Sequence, residues 1–529
     1  MRVVSYFQSF SHRHVDMSYK RNRTSSTYEE SNIQDFVDAT IDFDANITFA
    51  GPPAKDLSLS GSILLIGTSA QLAETDKLKT LPFWSEAVEA AITDAGEGSL
   101  YWTTLPQKKR LAVATISGAA TRYNCPDRPD LIVASVAEAT KAVGDKPLDI
   151  FVCCTNELVI ASAIPKATTR PFSAKSGKAE KSYRNSAPPV RVFFLSPLKA
   201  NPDHLKAIAT NIQICMRLID APTNLLDTTT FPEIAAGFAK KLGFEFEIIA
   251  GEDLREQGYG GVYGVGKAAE FPPALVTLKY KPKGGISPQE KIALVGKGIV
   301  YDTGGLAIKH PGPSVMSGMK CDMGGAAAVF AGFLCAVMLE VEREVSCVLC
   351  LADNAIGPRS QRNDDIVRLK SGITVEINNT DAEGRLVLSD GVWHASQLSP
   401  DCIIDMATLT GAQGIATGKH HAAVFTDSDA WEQRMMAHGK ASGDLLMPIL
   451  YAPEFHNPEF SSKVADYRNS VRNRSNAQSS CAGQFIMNNL KHFSGAHVHI
   501  DLAGPAFQSE AATGYGVGLL VDVLTKGKL

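Results

Sequence analysis

The sequence predicts an α/β fold: a smaller N-terminal α/β domain plus a larger C-terminal α/β domain with a mixed, largely parallel sheet covered by helices. Three observations carry this. A chain of 529 residues exceeds what one hydrophobic core usually holds. Apolar runs of strand length alternate with longer runs of helix length along most of it, the pattern of strand–helix–strand units. The strands of the second half read as continuous apolar runs, as in a sheet covered on both faces. No internal repeat interrupts the pattern.

In chain order, residues 1–36 read as a flexible N-terminal extension. Arg2, Arg13, Lys20, Arg21 and Arg23 meet few acids there, a composition like a mitochondrial presequence, but Asp16 sits among them without a clear amphipathic pattern. A cytoplasmic location is favoured, with a mitochondrial one as the alternative. Residues 37–200 form the first domain, with strands at Ser62–Ile66, Leu111–Ile116, Leu148–Cys154 and Arg191–Leu195, and helices at Trp84–Ala95 and Leu131–Val143. Within it, 165–190 is rich in Lys, Ser and Pro and reads as an exposed basic insertion. Residues 201–221 are a linker helix, His204–Asp220, ended by Pro222-Thr-Asn224. Residues 222–529 form the second domain.

Composition narrows the function class only a little. Hydrophobic content of 44% and charged content of 20% are ordinary for globular proteins. A formal charge of −4 gives no electrostatic case for nucleic acid. The longest uncharged apolar run, Gly324–Leu339, falls short of the roughly 20 residues that span a bilayer. Ten cysteines in a chain this long are not a disulfide framework, and Cys347-Val-Leu-Cys350 reads as buried strand.

The chemistry concentrates in three glycine-bearing segments. In Asn379-Thr-Asp-Ala-Glu-Gly-Arg-Leu386, two carboxylates two residues apart follow an alternating strand and precede a guanidinium. Side chains at i and i+2 of an extended segment share a face, so Asp381 and Glu383 converge on one object. Two like charges that close need a cation between them or a raised pKa. Upstream, Leu294–Lys309 breaks from strand into glycines where Lys297, Asp302 and Lys309 appear, and Met319–Gly325 carries Asp322 at the head of an apolar helix. Divalent ions take carboxylate oxygens, and paired ions about 3.5–4 Å apart need several. Asp302, Asp322, Asp381 and Glu383 supply four, with no HExxH motif competing. The sharp reading is a carboxylate-built two-metal site.

These residues resemble the leucyl aminopeptidase (cytosol aminopeptidase) family of dinuclear zinc peptidases. NTDAEGRL at 379–386 is similar to its signature octapeptide without alteration, and the GKG…YDTGG…IK and KCDMGGAAA runs match its other metal loops in order. The likeness covers roughly 205–529, which it makes the catalytic peptidase domain. With Asp405–Gln413 it is closest to the aminopeptidase-like branch of animals and protists.

The resemblance implies that Asp302 and Glu383 bridge two divalent ions, zinc or manganese. It also implies that Asp381 completes one site and Lys297 with Asp322 the other. Lys309 would polarise the scissile carbonyl. Arg385 would hold a bicarbonate that takes the proton of the attacking water. Met319, Thr408 and Gly411 match positions that line the first side-chain pocket or hold the substrate backbone. Between Lys309 and Asp322 the chain runs two residues longer than the commonest forms.

The implied reaction is hydrolysis of the N-terminal peptide bond of peptides with a free N-terminus, preferring Leu-like residues, by attack of a metal-bridging water. The implied assembly is a homohexamer, a dimer of trimers. Alternatives are a narrow Cys-Gly-type dipeptidase, or a non-catalytic scaffold or nucleic-acid-binding protein on the same fold. Two decoys, Gly261–Ala268 as a near P-loop and Gly264–Ala269 as a near dinucleotide pattern, read as glycine-rich turns.

Overall fold

Helix α1 (Thr27–Ile41) opens the residues described by the computed structural model, which are 27–74, 78–168, 172–173, 187–283, 289–310 and 315–525. The boundary expected at residue 36 falls inside α1, because Ile33, Phe36 and Val37 are buried in the core, where α1 lies against the helix Thr230–Leu242 of the second domain. Residues 1–26, and most of the expected insertion (169–171 and 174–186), lie outside the described residues.

The first sheet uses β1 (Ile47–Ala50), β2 (Ser62–Thr68), β3 (Leu100–Thr104), β4 (Arg110–Ile116), β5 (Leu148–Val152) and β6 (Val190–Phe194), in the order β1-β6-β5-β2-β4-β3. All its pairings are parallel except β3 with β4. The sequence reading missed β1 and β3, which are short or half-exposed edge strands with little apolar contrast. Helices α2 (Glu86–Asp94), α3 (Pro129–Val143) and α4 (Glu157–Ala167) flank this sheet. Pro165 and Ala167, expected in the insertion, are instead the buried last turn of α4.

Helix α5 (Pro202–Asp220) joins the halves and is buried along most of its length. Arg217, on α5, donates from Nε to Thr40 Oγ1 over 2.8 Å and lies over the rings of Phe36 and Phe43 at 5.2 and 5.6 Å, tying α1 to the joint. Desolvating a guanidinium is costly, and cation–π contacts offset part of that cost. Next come α6 (Thr230–Leu242), β7 (Glu245–Ala250), the short helix Gly260–Gly266, β8 (Ala274–Tyr280) and β9 (Ile292–Asp302). The decoy glycines therefore form a helix rather than turns. A Cβ on Gly260 would stand 2.1 Å from Arg368 O, and one on Gly261 2.3 Å from Leu386 O, so only glycine allows this approach.

The chain continues through α7 (Gly324–Met338), β10 (Val345–Asn354), β11 (Ile366–Arg368), β12 (Thr374–Glu376), α8 (Gly384–Ser396) and β13 (Cys402–Ala407). It closes with β14 (Ala422–Phe425), α9 (Asp429–Ser442), β15 (Leu446–Pro448), β16 (Tyr467–Arg468), α10 (Gln478–Met487), β17 (Ala496–Asp501) and α11 (Val517–Thr525). The main sheet runs β15-β14-β17-β13-β9-β10-β8-β7, and its central four strands are mutually parallel.

Alternation along the strands feeds two cores. Leu294, Cys347, Leu349, Ile404 and Val498 face α5, α7 and α11, while Val295, Val348, Cys350 and Ile403 face α8 and α10. Cys347 and Cys350 are thus free, buried strand residues whose thiols burial pushes up. Met319–Met338 is long and apolar enough to cross a membrane by composition, yet its most apolar window is 89% buried inside the fold, as a core helix is. The loops that follow β9 and β13 of the main sheet carry predicted site residues, while the turn with Asp381 and Glu383 follows β12 of a separate small sheet, β11-β12-β16.

Candidate active site

Lys297 is 2% exposed and projects from the middle of β9. Glycines make room for it: a Cβ on Gly296 would lie 2.4 Å from Ala326 Cα, and one on Gly384 would lie 2.6 Å from Lys297 Cε. Its Nζ donates to Asp322 Oδ1 at 2.8 Å and to Thr408 O at 3.0 Å, and stands 3.0 Å from Glu383 Oε1. Lys309 Nζ lies 2.7 Å from Asp302 Oδ2 and 2.6 Å from Asp381 Oδ1. Burial disfavours charge on both ammonium groups, but the surrounding carboxylates outweigh it and hold both lysines above their ordinary value. Burial likewise pushes Asp322, Asp381 and Glu383 up.

Asp302, Asp381 and Glu383 each present an oxygen to one cluster in which all three lie within 4.8 Å of one another. Their convergence does not come from an extended segment. Strand β12 ends at Glu376, Ala382 N donates to Asn379 O in a turn, and Glu383 already has helical dihedrals ahead of α8. The turn is held by buried Asn469, whose Oδ1 accepts from Asn378 N at 2.9 Å and Asn379 N at 3.2 Å, while Nδ2 donates to Asn379 O. Gly384 is the first helical residue, small because Lys297 passes beside it.

Glu383 Oε2 is buried without a hydrogen-bond partner, and Arg385 Nε and Nη1 are buried donors without one. An orphaned carboxylate oxygen in a pocket of four acids and two lysines suits divalent cations, which take hard oxygen ligands. Burial pulls the Arg385 guanidinium down to about 10, against the nearby charges of Glu383 and Asp501. Two unfilled N–H groups on one guanidinium suit a small planar anion.

The predicted substrate-binding residues fall at the same edge. Thr408 Oγ1 donates to Asp322 Oδ1 at 2.8 Å, so its hydroxyl is committed, and its methyl lies toward Gly324 at the start of α7. Gly411 opens the short helix Gly411–Ala416, where an added Cβ would meet nothing. Met319 opens a 3-10 turn and is half-buried. Part of the lengthened loop after Lys309, residues 311–314, lies outside the described residues.

Sequence reasoning missed Asn354, Thr380, Asn469 and Asp501, all buried. Asp501 Oδ2 accepts from Thr410 Oγ1 at 2.6 Å and Ser479 Oγ at 2.8 Å, fixing the loop after β13. Their only signal is position, since Asn354 and Asp501 are polar residues closing apolar strands. A cavity of about 530 Å³ beside Trp393, Tyr467 and Phe493 involves none of the predicted site residues.

Residues 213–521 match the catalytic domain of the cytosol aminopeptidase family, and residues 61–178 match the M17 aminopeptidase N-terminal domain 2. The chain belongs to the cytosol aminopeptidase family. Members with curated descriptions include the human "Probable aminopeptidase NPEPL1", 44% identical over 416 residues that cover 77% of this chain and 78% of that one. Leucine aminopeptidase 1 of Caenorhabditis elegans is 41% identical over 325 residues, 61% of this chain and 65% of that one. Among solved structures, the leucyl aminopeptidase of Trypanosoma brucei in complex with bestatin is 47% identical, with TM-score 0.91 over 95% of this chain and 100% of that chain. The protein is an aminopeptidase of this metal-dependent family, acting on peptides, and the acidic cluster described above is a possible metal site.

Proposed function

We propose that this protein is a two-metal leucyl aminopeptidase that releases Leu-like N-terminal residues from peptides. The observation that carries the reading is the convergence of Asp302, Asp381 and Glu383 beside Lys309, with Glu383 Oε2 left unpartnered. Asp302, Asp381 and Glu383 would hold one ion, and Lys297, Asp322 and the shared Asp302 and Glu383 the second, as zinc or manganese. When bound, the ions supply Lewis-acid anchors for the substrate's free amine and carbonyl and bring the pKa of a water toward neutrality.

The chain's own groups do the rest. Lys309, whose ammonium sits between the Asp302 and Asp381 carboxylates at the rim of the cluster, would donate to the oxyanion that develops on the scissile carbonyl. Arg385, with its unpartnered Nε and Nη1 hydrogens, would hold a bicarbonate, which when bound would supply a proton acceptor. Met319, Thr408 and Gly411, at the same edge of the sheet, would border the space for the first side chain.

The test compares hydrolysis of leucine amide and N-acetyl-leucine amide by protein loaded with Zn2+ or Mn2+, with Glu383→Ala as control. Cleavage of the free-amine substrate alone, lost in the variant, supports the reading. No cleavage of either sinks it, and cleavage confined to dipeptides such as Cys-Gly replaces it with the narrower dipeptidase. A homohexamer in the cytoplasm completes the proposal. Ile415, Phe455 and Leu450 are 91%, 71% and 66% exposed, which suits surfaces covered by further copies. Light scattering should then give a mass near six times 56.7 kDa.

A further inference from the structure

Asn354 closes β10 directly opposite Asp302, the last residue of β9, in the parallel register of the two strands. It is 5% exposed, so its amide must find partners inside the protein. Nδ2 spends one hydrogen on Asp302 Oδ1 at 2.8 Å and the other on Thr380 O at 3.1 Å. Both neighbours are acceptors, so this orientation of the amide is the only one that avoids oxygen facing oxygen. A single side chain thereby ties the loop that follows β9 to the turn that carries Asp381 and Glu383.

A second contact between the same two loops reinforces the tie. Thr380 Oγ1 donates to Gly304 O and accepts from Ala307 N, each at 2.7 Å. Gly304 N adds a further bond to Asp302 Oδ1 at 2.9 Å. Oδ1 is thus occupied by two donors that are not part of the cluster. Oδ2 is left as the oxygen that faces Lys309 and the other carboxylates. An uncharged amide achieves this without cancelling any of the negative charge that a cation would need. A lysine or arginine in its place would compete with that cation.

We propose that Asn354 is a positioning residue that locks the Asp302 carboxylate in its cation-facing rotamer and holds the two ligand-bearing loops in register, so that it sets the metal affinity of the site. This rests on the metal-peptidase reading given above. Outer hydrogen-bond partners of ligating carboxylates typically contribute about 10- to 100-fold in metal affinity. Without Nδ2, Asp302 Oδ1 keeps only Gly304 N, and the turn at Thr380 keeps only its Oγ1 contacts to Gly304 and Ala307.

The experiment uses the full chain, stripped of metal and titrated with Mn2+ in competition with a chromophoric chelator. Asn354→Leu keeps the branching at Cγ and removes the donor, while Asn354→Ser keeps a shorter donor and is the milder change. The expected result is Mn2+ binding about 10- to 100-fold weaker in Asn354→Leu, with Asn354→Ser in between. If Asn354→Leu does not fold, Asn354→Ser decides alone. A purely structural amide would lower the metal-free melting temperature yet leave the Mn2+ dissociation constant of the folded protein unchanged. Both folded variants binding Mn2+ within threefold of the parent overturns the inference while leaving the peptidase reading intact. A parent chain that binds neither Mn2+ nor Zn2+ overturns that reading, and this inference with it.

Discussion

Lys297 and Glu383 stand 3.0 Å apart in an interior where each is only 2% exposed. The lysine is held by Asp322 as well, so in the metal-free protein one ammonium balances two buried carboxylates. Removing one member of such a group leaves uncompensated charge in a medium that solvates it poorly. Lys297→Met should therefore destabilise the metal-free protein by about 3–5 kcal/mol at neutral pH. Urea unfolding of the stripped parent and variant measures this, and equal midpoints would refute it.

Gly384 is predicted to be irreplaceable for activity rather than for folding. The Cβ of Gly384→Ala would sit 2.6 Å from Lys297 Cε and 2.8 Å from its Nζ, at the flexible end of a side chain that can shift. Displacing a site group by about 1 Å costs on the order of 100-fold in rate. The expected outcome is a loss of that size in kcat/KM for leucine amide with an unchanged far-UV circular dichroism spectrum.

Arg385 should make the reaction responsive to bicarbonate. Its Nε and Nη1 hydrogens are buried and unfilled, and no neighbouring carboxylate takes them. Bicarbonate added to carbonate-free buffer should raise the rate of the parent, while Arg385→Met should show a low rate that bicarbonate does not change. A parent rate indifferent to bicarbonate would remove this role.

Stability should fall on mild acidification because of His394. Burial holds its imidazole at about 4, below the ordinary 6.5, and its ring nitrogens lie 2.7 Å from Tyr259 Oη and 3.0 Å from Thr277 Oγ1. Between those two values the unfolded chain binds a proton that the folded chain refuses. The stability is therefore fully present above pH 6.5 and is lost as pH falls toward 4, by about 3 kcal/mol in all. His394→Gln should lose that share of the slope. Comparing denaturant midpoints of both proteins at pH 7 and pH 4.5 tests the difference.

Much of this architecture was legible before the structure. The apolar runs that became β2, β4, β5, β9 and β10 announced themselves because buried parallel strands need uninterrupted apolar residues. The edge strand β1 and the half-exposed β3 did not, since solvent on one side dilutes the pattern. Charged groups at glycine-rich strand ends pointed to Lys297, Asp302 and Asp322. The local geometry of Asp381 and Glu383 was misread as extended, because the turn is imposed by Asn469, some 90 residues away. Asn354 and Asp501 were invisible for a related reason: each acts through a neighbour that only the sheet brings near.

The seat of Lys297 also bears on how the chain reaches its folded state during synthesis. The carbonyl that caps its ammonium, Thr408 O, comes 111 residues later, and Asp501, which fixes the adjoining loop, follows Thr410 by 91 more. Contacts of that span close large loops and are slow to form. A nascent chain emerging from the ribosome therefore displays Lys297, Asp302 and Asp322 before β13 and β17 exist to shelter them. A product terminated ahead of Asp501 would lose the partner of its Thr410 loop and strand β17 together, and with them the shelter of the whole charged cluster.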